Sequence, residues 1–305
     1  MAKTELFARN YNGRISPVYS EKQSAGAILF VSSVLGTDAA GYGGSPESPY
    51  ATLGYAHTEA VTGTGGLIIL MPGHAETVDT AAWLTITKAN LTILGIGNGA
   101  LIPTFTFEAG DAVPLTDINF DAANVTVKHV KFFNSEDPCT APMDINAAHV
   151  SFIDCIFEDD GAAVTTDWFT LDANADHFLM QDCKHWGTDT DGPDSFISFT
   201  GACDHVSITG CHSHGEMDAA NIELLAAATD ILIDHNWLEN EDAVDVNVEG
   251  FAACSGWVSN NMLLIPTDTV LTHLNTTPNL AVFENYGANV VGETGLLIIA
   301  AGVSV

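Results

Sequence analysis

One phrase recurs along the chain at a nearly constant interval. Its clearest copies are "HVSFIDCIF", "HFLMQDCKH" and "HVSITGCHS", in which a cysteine stands six residues after a histidine. The copies start at residues 124, 149, 177, 205, 230, 255 and 279. A period of about 25 residues is typical of a solenoid, in which each repeat stacks on the next.

Each copy begins with a short stretch of alternating apolar and polar residues, as in a β-strand. A second alternating stretch lies upstream, for example "MDINA" and "FISFTG", and turn-rich segments such as "GTDTDGPD" and "ENEDA" separate the repeats. A βαβ unit needs a crossover helix of at least about ten residues, for which no repeat has room. Strands that return to equivalent positions favour a parallel β-helix, in which equivalent residues stack about 4.8 Å apart.

One position in each copy predicts a ladder of stacked side chains inside the coil. Val130 occupies it in the first copy, and Cys155, Cys183, Cys211, Asn236, Asn261 and Asn285 follow. Residues two positions further on, such as Phe157 and Leu238, are apolar, so this position faces the interior. Cysteine buries readily, and stacked asparagines can hydrogen-bond to one another. We expect free thiols, because stacked strands lie further apart than the about 3.5–4.5 Å between the Cβ atoms of a disulfide.

The histidines that open three copies raise the alternative of a metal site. His149, His177 and His205 would stack in register and point the same way, whereas the ligands of a tetrahedral metal converge. We therefore interpret them as a column of bend residues. The sequence predicts no cofactor and no transition-metal site.

Acidic residues cluster in the variable loops between repeats. Asp189, Asp191 and Asp194 surround a glycine in "DTDGPD", an oxygen-rich set able to bind calcium, although solvated loop carboxylates are more common. Glycoside hydrolysis needs two carboxylates about 5–9.5 Å apart. Adjacent repeats offer candidates for such a pair in Asp189, Asp191, Glu216, Asp218, Glu239 and Asp242. So many acidic residues also form pairs by chance, and no nucleophile–base motif accompanies them.

Charge is distributed unevenly. The chain has 39 acidic and 8 basic residues, a formal charge of −31, which argues against nucleic acid or an anionic membrane as partner. Half of the basic residues lie in the first 22 positions: Lys3, Arg9, Arg14 and Lys22. A basic arm on an acidic body suggests a tether. No apolar run approaches the about 18 residues of a membrane span, and no secretory signal opens the chain, so we expect synthesis in a cytoplasm.

A short helix is predicted ahead of the repeats, in "SPESPYATLGYAHTEA". Ser48 would be its N-cap and Pro49 its first residue, with Leu53, Ala56 and Ala60 on one face. This helix would cover the open end of the coil stack. The apolar tail "VVGETGLLIIAAGVSV" would form the opposite cap or an oligomer contact.

The stretches "SPYATLGYAH", "GLIILMPGHAETV" and "LTILGIGNGA" resemble the N-terminal part of right-handed parallel β-helix proteins of tailed bacteriophage virions. The resemblance covers residues 27–130 by motif and the rest by period alone. It implies an all-β, single right-handed parallel β-helix. Pectate-lyase-like enzymes and tailspike depolymerases share that fold, so the role depends on the site.

These observations predict four segments in the chain. Residues 1–25 form an extended basic arm and residues 26–66 a cap with a short helix. Residues 67–285 form the β-helix, with about 25 residues per coil, and residues 286–305 form a C-terminal cap or oligomer contact.

The leading hypothesis is a non-enzymatic virion structural protein, made in the host cytoplasm, that decorates or cements the capsid surface. Its arm residues Lys3, Arg9, Arg14 and Lys22 would bind the major capsid protein or another virion protein, and its β-helix would project as a homotrimer. A tailspike-like polysaccharide depolymerase using Asp189, Asp191, Glu216 and Asp218 is one alternative. A glycan- or receptor-binding spike is another, to which four tryptophans contribute if they are exposed: Trp168, Trp186, Trp237 and Trp257.

Overall fold

The chain is a parallel β-helix, as its period predicts. The computed structural model describes residues 10–11, 14–15, 26–63, 65–80, 82–108, 118–135, 141–160, 165–187, 192–242, 246–250, 253–265, 274–275, 279–289 and 294–296. Three long sheets run through these residues, and each coil contributes one strand to each sheet. Phe152 pairs with Val127 of the preceding coil and with Met180 of the following one.

We name the sheets A, B and C in the order in which a coil visits them. Sheet A contains Ile28–Val31, Leu67–Leu70, Thr92–Gly95, Thr126–Lys128, Ser151–Ile153, Leu179–Gln181, Ser207–Thr209, Ile231–Asp234, Gly256–Ser259 and Leu280–Phe283. Sheet B contains Ala75–Val78, Thr104–Phe107, Lys131–Asn134, Ile156–Asp159, Lys184–Trp186, His212–Gly215, Trp237–Asn240, Met262–Ile265, Tyr286–Asn289 and Thr294–Leu296. Sheet C contains Leu84–Ile86, Ile118–Phe120, Met143–Ile145, Asp167–Leu171, Ser195–Phe199, Ala220–Leu224, Val246–Gly250 and Leu274–Asn275.

The pairing between these strands is parallel, with one exception at the end of sheet B. Thr294–Leu296 pairs antiparallel to Tyr286–Asn289. Outside the three sheets, Asn10–Tyr11 pairs antiparallel with Arg14–Ile15, and Gly99–Leu101 forms a single 3₁₀ turn. No helix in the described ranges has the length and apolar character needed to cross a membrane.

Two of the three corners are built on left-handed backbone in most coils. Residues with φ between 54° and 60° lie at the C–A corner, and they are Asn90, Asn124, His149, His177, His205 and Asp230. Residues with φ between 53° and 66° lie at the A–B corner, and they are His129, Asp154, Asp182, Gly210, His235, Asn260 and Glu284. Asparagine, aspartate and histidine adopt this region more readily than other residues with a side chain. The A–B corner keeps two residues between its strands from Lys128 onward, whereas loop length varies most at the remaining B–C corner.

Aromatic side chains fill the interior of the middle coils. Phe105, Phe132 and Phe157 stack along sheet B, with ring centroids 5.7 and 5.3 Å apart. Phe152 and Phe169 meet Phe157 edge-on from the other two sheets. Burying a phenylalanine contributes about 1.5–3 kcal/mol, so this stack is a main source of stability.

The cap helix, α1, spans Leu53–Glu59, and the predicted N-cap at Ser48 is wrong. Tyr50 forms a parallel bridge with the first strand of sheet A, which keeps the chain extended at the position of Pro49. Thr52 is the N-cap instead, and its Oγ1 accepts a hydrogen bond from the backbone N–H of Tyr55 at 3.2 Å. The predicted apolar face is buried.

The "PGHAE" motif ties this helix to the first coil. The Glu76 carboxylate accepts hydrogen bonds from the backbone N–H of Leu53, at 2.6 Å, and from Nε2 of His74, at 2.7 Å. The Nδ1 atom of His74 accepts a hydrogen bond from the backbone N–H of Ser33 at 3.0 Å, so the ring proton lies on Nε2. The motif therefore has a structural role at the end of the coil stack.

Candidate functional site

The predicted ladder lies at the A–B corner. All of its members are buried: Cys155, Cys183, Cys211, Asn236, Asn261 and Asn285. Asn261 Oδ1 accepts hydrogen bonds from the backbone N–H and from Nδ2 of Asn236, at 2.9 and 3.0 Å. Asn285 repeats this arrangement beneath Asn261. The three cysteines of the ladder are free thiols, and burial raises the pKa of Cys155. The column joins successive coils and does not face solvent.

The histidine column lies at the C–A corner. The rings of His149 and His177 stack with centroids 4.4 Å apart, and those of His177 and His205 with centroids 4.6 Å apart. Stacked in this way, the rings lie side by side instead of converging on one point.

Sheet C has a kink that changes which side chains face outward. In four successive strands, two neighbouring residues are both buried: Trp168 and Phe169, Phe196 and Ile197, Asn221 and Ile222, and Asn247 and Val248. The residues before and after each pair therefore lie on the outer side. Asp167, Ser195 and Ala220 form one outer row, in register. The second row contains Ser198 paired with Glu223.

Two serine side chains on the outer side of sheet C are buried at this kink. Ser195 and Ser198 are fully buried although they lie on the outer side. Ser195 Oγ donates to Glu223 Oε2 at 3.2 Å and also contacts the carboxylate of Asp167. We call this region, formed by Thr165, Asp167, Ser195, Ser198 and Glu223, the sheet C furrow. Within the described residues, Thr165 Oγ1, Ser198 Oγ and Asp167 Oδ1 are buried without a hydrogen-bond partner.

The carboxylates of the furrow hold their protons more tightly than usual. Burial raises the pKa of Asp167 to about 7, with a further contribution from the negative charges of Asp194 and Glu223. Burial also raises the pKa of Asp194 and that of Glu223. A pKa near 7 lies in the range that suits a general acid or base at neutral pH.

The outer face of sheet B carries a row of aromatic and sulfur-containing side chains. The ring of His212 lies 4.7 Å from that of Trp186 and 5.2 Å from that of Trp237, between centroids. Met262 and Tyr286 continue the row in register and are exposed. We call these five residues the sheet B strip. Four of them, His212, Trp237, Met262 and Tyr286, lie in register on successive parallel strands. Trp186 lies beside this row, in register with His214.

Acidic side chains border this strip at the B–C corner. His214, Glu239 and Glu241 bring one ligand atom each to within 4.8 Å of one another. The same holds for Glu216, Asp218 and Asp242, which the sequence singles out as candidates for a carboxylate pair. His214 and Glu239 are direct partners on adjacent strands of sheet B. The residues that follow these two strands enter the B–C corner side by side, which brings Glu216 and Asp218 close to Asp242.

The other predicted site residues are distributed differently. Asp189 and Asp191 lie outside the described residues, as do Lys3, Arg9 and Lys22. Asp194 lies at the furrow, where its charge acts on Asp167. Arg14 begins the second strand of the short antiparallel pair near the N-terminus.

The four tryptophans divide between core and surface. Trp168 is buried and donates its indole N–H to Asp159 at 2.9 Å. Trp186 is partly buried, whereas Trp237 and Trp257 are 44% and 49% exposed. Trp237 belongs to the sheet B strip, and Trp257 lies on the outer face of sheet A.

Sequence reasoning missed Asp167, Ser195 and Glu223. A signal exists in "DWFT", "SFIS" and "NIEL", where two residues that point inward interrupt strict alternation. Such a pair is the sequence trace of a kink, because successive side chains of a regular strand point to opposite faces.

No protein-family model and no curated protein matches this sequence. Among solved structures, pectate lyase Pel9A aligns with a TM-score of 0.58 at 11% identity, over 85% of this chain and 70% of that one. A rhamnogalacturonan lyase aligns with a TM-score of 0.42 at 14% identity, over 85% of this chain and 87% of that one. ORF18 of Geobacillus virus E2 aligns with a TM-score of 0.24 at 14% identity, over 92% of this chain and 67% of that one. The first of these similarities shows that the chain shares its parallel β-helix fold with pectate lyase Pel9A.

Proposed function

We propose that this protein is a non-enzymatic phage virion protein whose β-helix projects from the particle and binds a glycan. The observation that carries the binding is the sheet B strip beside the carboxylates of the B–C corner. The resemblance of the N-terminal motifs to phage β-helix proteins supports the place on a virion.

The strip has the chemistry that a saccharide requires. An exposed indole offers a flat apolar surface to the C–H face of a sugar ring, and holding a tryptophan in place costs little conformational entropy. Glu239 and Glu241 lie beside the strip and can accept hydrogen bonds from sugar hydroxyls. Because the strip runs along the axis of the solenoid, it suits an extended oligosaccharide.

Replacing Trp237 by alanine tests this surface. We expect glycan-array binding to fall at least tenfold in Trp237→Ala, because an exposed aromatic platform is lost and the core is untouched. Trp257→Ala is the matched control, since Trp257 is similarly exposed but lies on sheet A. Equal loss of binding in both variants, or none in either, would contradict the proposal.

The particle-binding part of the proposal concerns the N-terminal arm. Arg9 and Arg14 provide positive charge that is scarce in the acidic body, and we propose that they anchor the protein to the capsid surface. Deleting residues 1–22 should abolish binding to purified particles while circular dichroism of the coil is unchanged. Undiminished binding by the truncated protein would remove the arm from this role. Electron microscopy of the particle locates the protein, and mass measurement in solution tests the proposed homotrimer.

A polysaccharide depolymerase is the second candidate, and the sheet C furrow favours it. Asp167, with its pKa of about 7, is suited to proton transfer, and the hydroxyl of Ser195 lies between it and Glu223. Two carboxylates on one face can act as acid and base on a glycosidic bond. This candidate predicts turnover of a polysaccharide that is lost in Asp167→Asn and kept in Asp144→Asn, a change on the same outer face. Binding of a polysaccharide without its turnover would favour the non-enzymatic glycan-binding protein over the depolymerase.

Turnover that depends on Asp191 or Glu216 would place the chemistry in the variable loops. Comparing Asp191→Asn and Glu216→Gln with Asp167→Asn therefore separates the furrow from those loops. Loss of activity in only one of the two sets identifies the residues that carry it.

A further inference from the structure

The C-terminal part of the chain has no side-chain cation other than histidine. Lys184 is the last basic residue, and residues 185–305 contain 17 aspartates and glutamates but no lysine or arginine. Stacking adds to the repulsion, because Glu223 and Glu249 are direct partners on adjacent strands. Like charges placed opposite each other destabilise a sheet. Within residues 185–305, histidine is therefore the side chain that can offset this charge, and a bound cation is another source of positive charge.

One group in this region has a histidine among its carboxylates. His214 and Glu239 are direct neighbours on adjacent strands of sheet B, and Glu241 lies two residues beyond Glu239. The Nε2 atom of His214 lies 3.7 Å from Oε1 of Glu241, and the three donor atoms lie within 4.8 Å of one another. The side chains of His214 and Glu241 are only 27% and 19% exposed.

The arrangement matches the needs of a small metal ion. Ligands bound at about 2.0–2.2 Å in a tetrahedron lie roughly 3.3–3.6 Å apart, so the three donor atoms need to approach one another by at most about 1.5 Å. An imidazole nitrogen with two carboxylates suits zinc and other first-row transition cations, whereas calcium prefers oxygen ligands alone. The ring of Trp186, 6.0 Å from that of His214, forms an apolar wall beside the site.

We propose that His214, Glu239 and Glu241 bind a divalent first-row transition cation such as Zn²⁺, with water in the fourth position. The neighbouring carboxylates of Glu216 and Asp242 add negative potential that attracts the ion. The ion joins two successive coils of sheet B and offsets part of their charge. This inference does not depend on the proposed glycan binding.

Calorimetric titration of the full chain with ZnCl₂ and CoCl₂ tests the site. We expect one equivalent of metal to bind, and bound Co²⁺ to show the visible absorption of a tetrahedral complex. His214→Ala and Glu241→Gln should each weaken Zn²⁺ binding at least tenfold. His205→Ala is the matched control, because His205 is exposed and its Nε2 atom lies 3.4 Å from the carboxylate of Asp230, outside the proposed site.

A second readout is thermal stability, since a ligand that binds only the folded state raises Tm. Zn²⁺ should raise Tm of the unaltered protein and of His205→Ala but not that of His214→Ala. Unchanged Zn²⁺ affinity in His214→Ala, or no stoichiometric binding, would overturn the proposal. Tight Ca²⁺ binding without Zn²⁺ binding would also overturn it, and would point to an all-oxygen site such as Glu216, Asp218 and Asp242 instead.

Discussion

The middle coils and the last coils use the same columns for different chemistry. Along sheet B, the inward column holds three stacked phenylalanines, then the polar residues His185 and Ser213, and then Leu238 and Leu263 in the last coils. Along the A–B corner, the ladder changes from cysteine to asparagine after Cys211. The backbone register is the same in both regions, so the β-helix accepts either apolar packing or amide hydrogen bonds at one position. Apolar packing supplies burial, and the amide ladder supplies directional bonds that fix the register.

The two regions meet at a buried polar group around His185. Its Nδ1 lies 3.0 Å from Ser213 Oγ, and its Nε2 lies 3.2 Å from Asp159 Oδ2. Asp159 also accepts hydrogen bonds from Trp168 and Asn134. The ring of His185 stacks on Phe196 with centroids 4.6 Å apart, so one side chain continues the aromatic packing and begins the polar network.

The largest effect is expected in the aromatic region. Phe157→Ala should lower the free energy of unfolding by about 3–5 kcal/mol, because removing a fully buried ring that packs against several other aromatic side chains leaves a cavity. Denaturant unfolding followed by circular dichroism measures it. Phe133→Ala, on the outer face of the neighbouring strand, is the control. A similar loss of stability in both variants would show that the stacked inner column contributes no more than an aromatic residue on the outer face.

A smaller but still large effect is expected in the amide ladder. Asn261→Leu should cost about 2–3 kcal/mol, because the buried backbone N–H of Asn236 loses its acceptor. The same unfolding experiment measures this change. An unfolding free energy indistinguishable from that of the unaltered protein would mean that the ladder adds no directional stabilisation.

The thiol part of the same column should be more tolerant. Cys183→Ala is expected to cost about 1 kcal/mol, since a small buried side chain is removed and no backbone donor loses its partner. The comparison with Asn261→Leu at an equivalent position separates packing from hydrogen bonding. A larger cost for Cys183→Ala than for Asn261→Leu would reverse the interpretation of the two regions.

The smallest effect is expected at the C–A corner. His177→Asn should change the unfolding free energy by less than about 0.5 kcal/mol, because asparagine adopts the left-handed backbone that His177 has. His177→Val is the contrasting variant and should cost about 1–2 kcal/mol, since a branched side chain is strained at this φ. Equal Tm values for the two variants would show that the bend does not depend on residue type.

Sequence patterns predicted the coil and its ladder because each coil repeats the same geometric requirement. Cys155 and Asn261 occupy the same buried position at the A–B corner of their coils, so the sequence repeat identifies them. The predicted start of the helix was wrong because Tyr50 pairs with Val31, and this pairing keeps the chain extended there. Local capping preferences do not reveal a contact between residues so far apart in sequence. The furrow was missed for a related reason. Asp167 and Glu223 meet only because the strands of sheet C kink, and strict alternation was assumed there.

The constant spacing between successive coils also determines how the length of the solenoid can vary. Each coil adds about 4.8 Å along the axis, whatever the length of its loop at the B–C corner. Ser151 pairs directly with Leu179, so removing residues 151–178 would take out one whole coil and leave both neighbours in register. The distance between the cap helix and the last coil is therefore a multiple of one step. The length of this solenoid can therefore change only by whole coils.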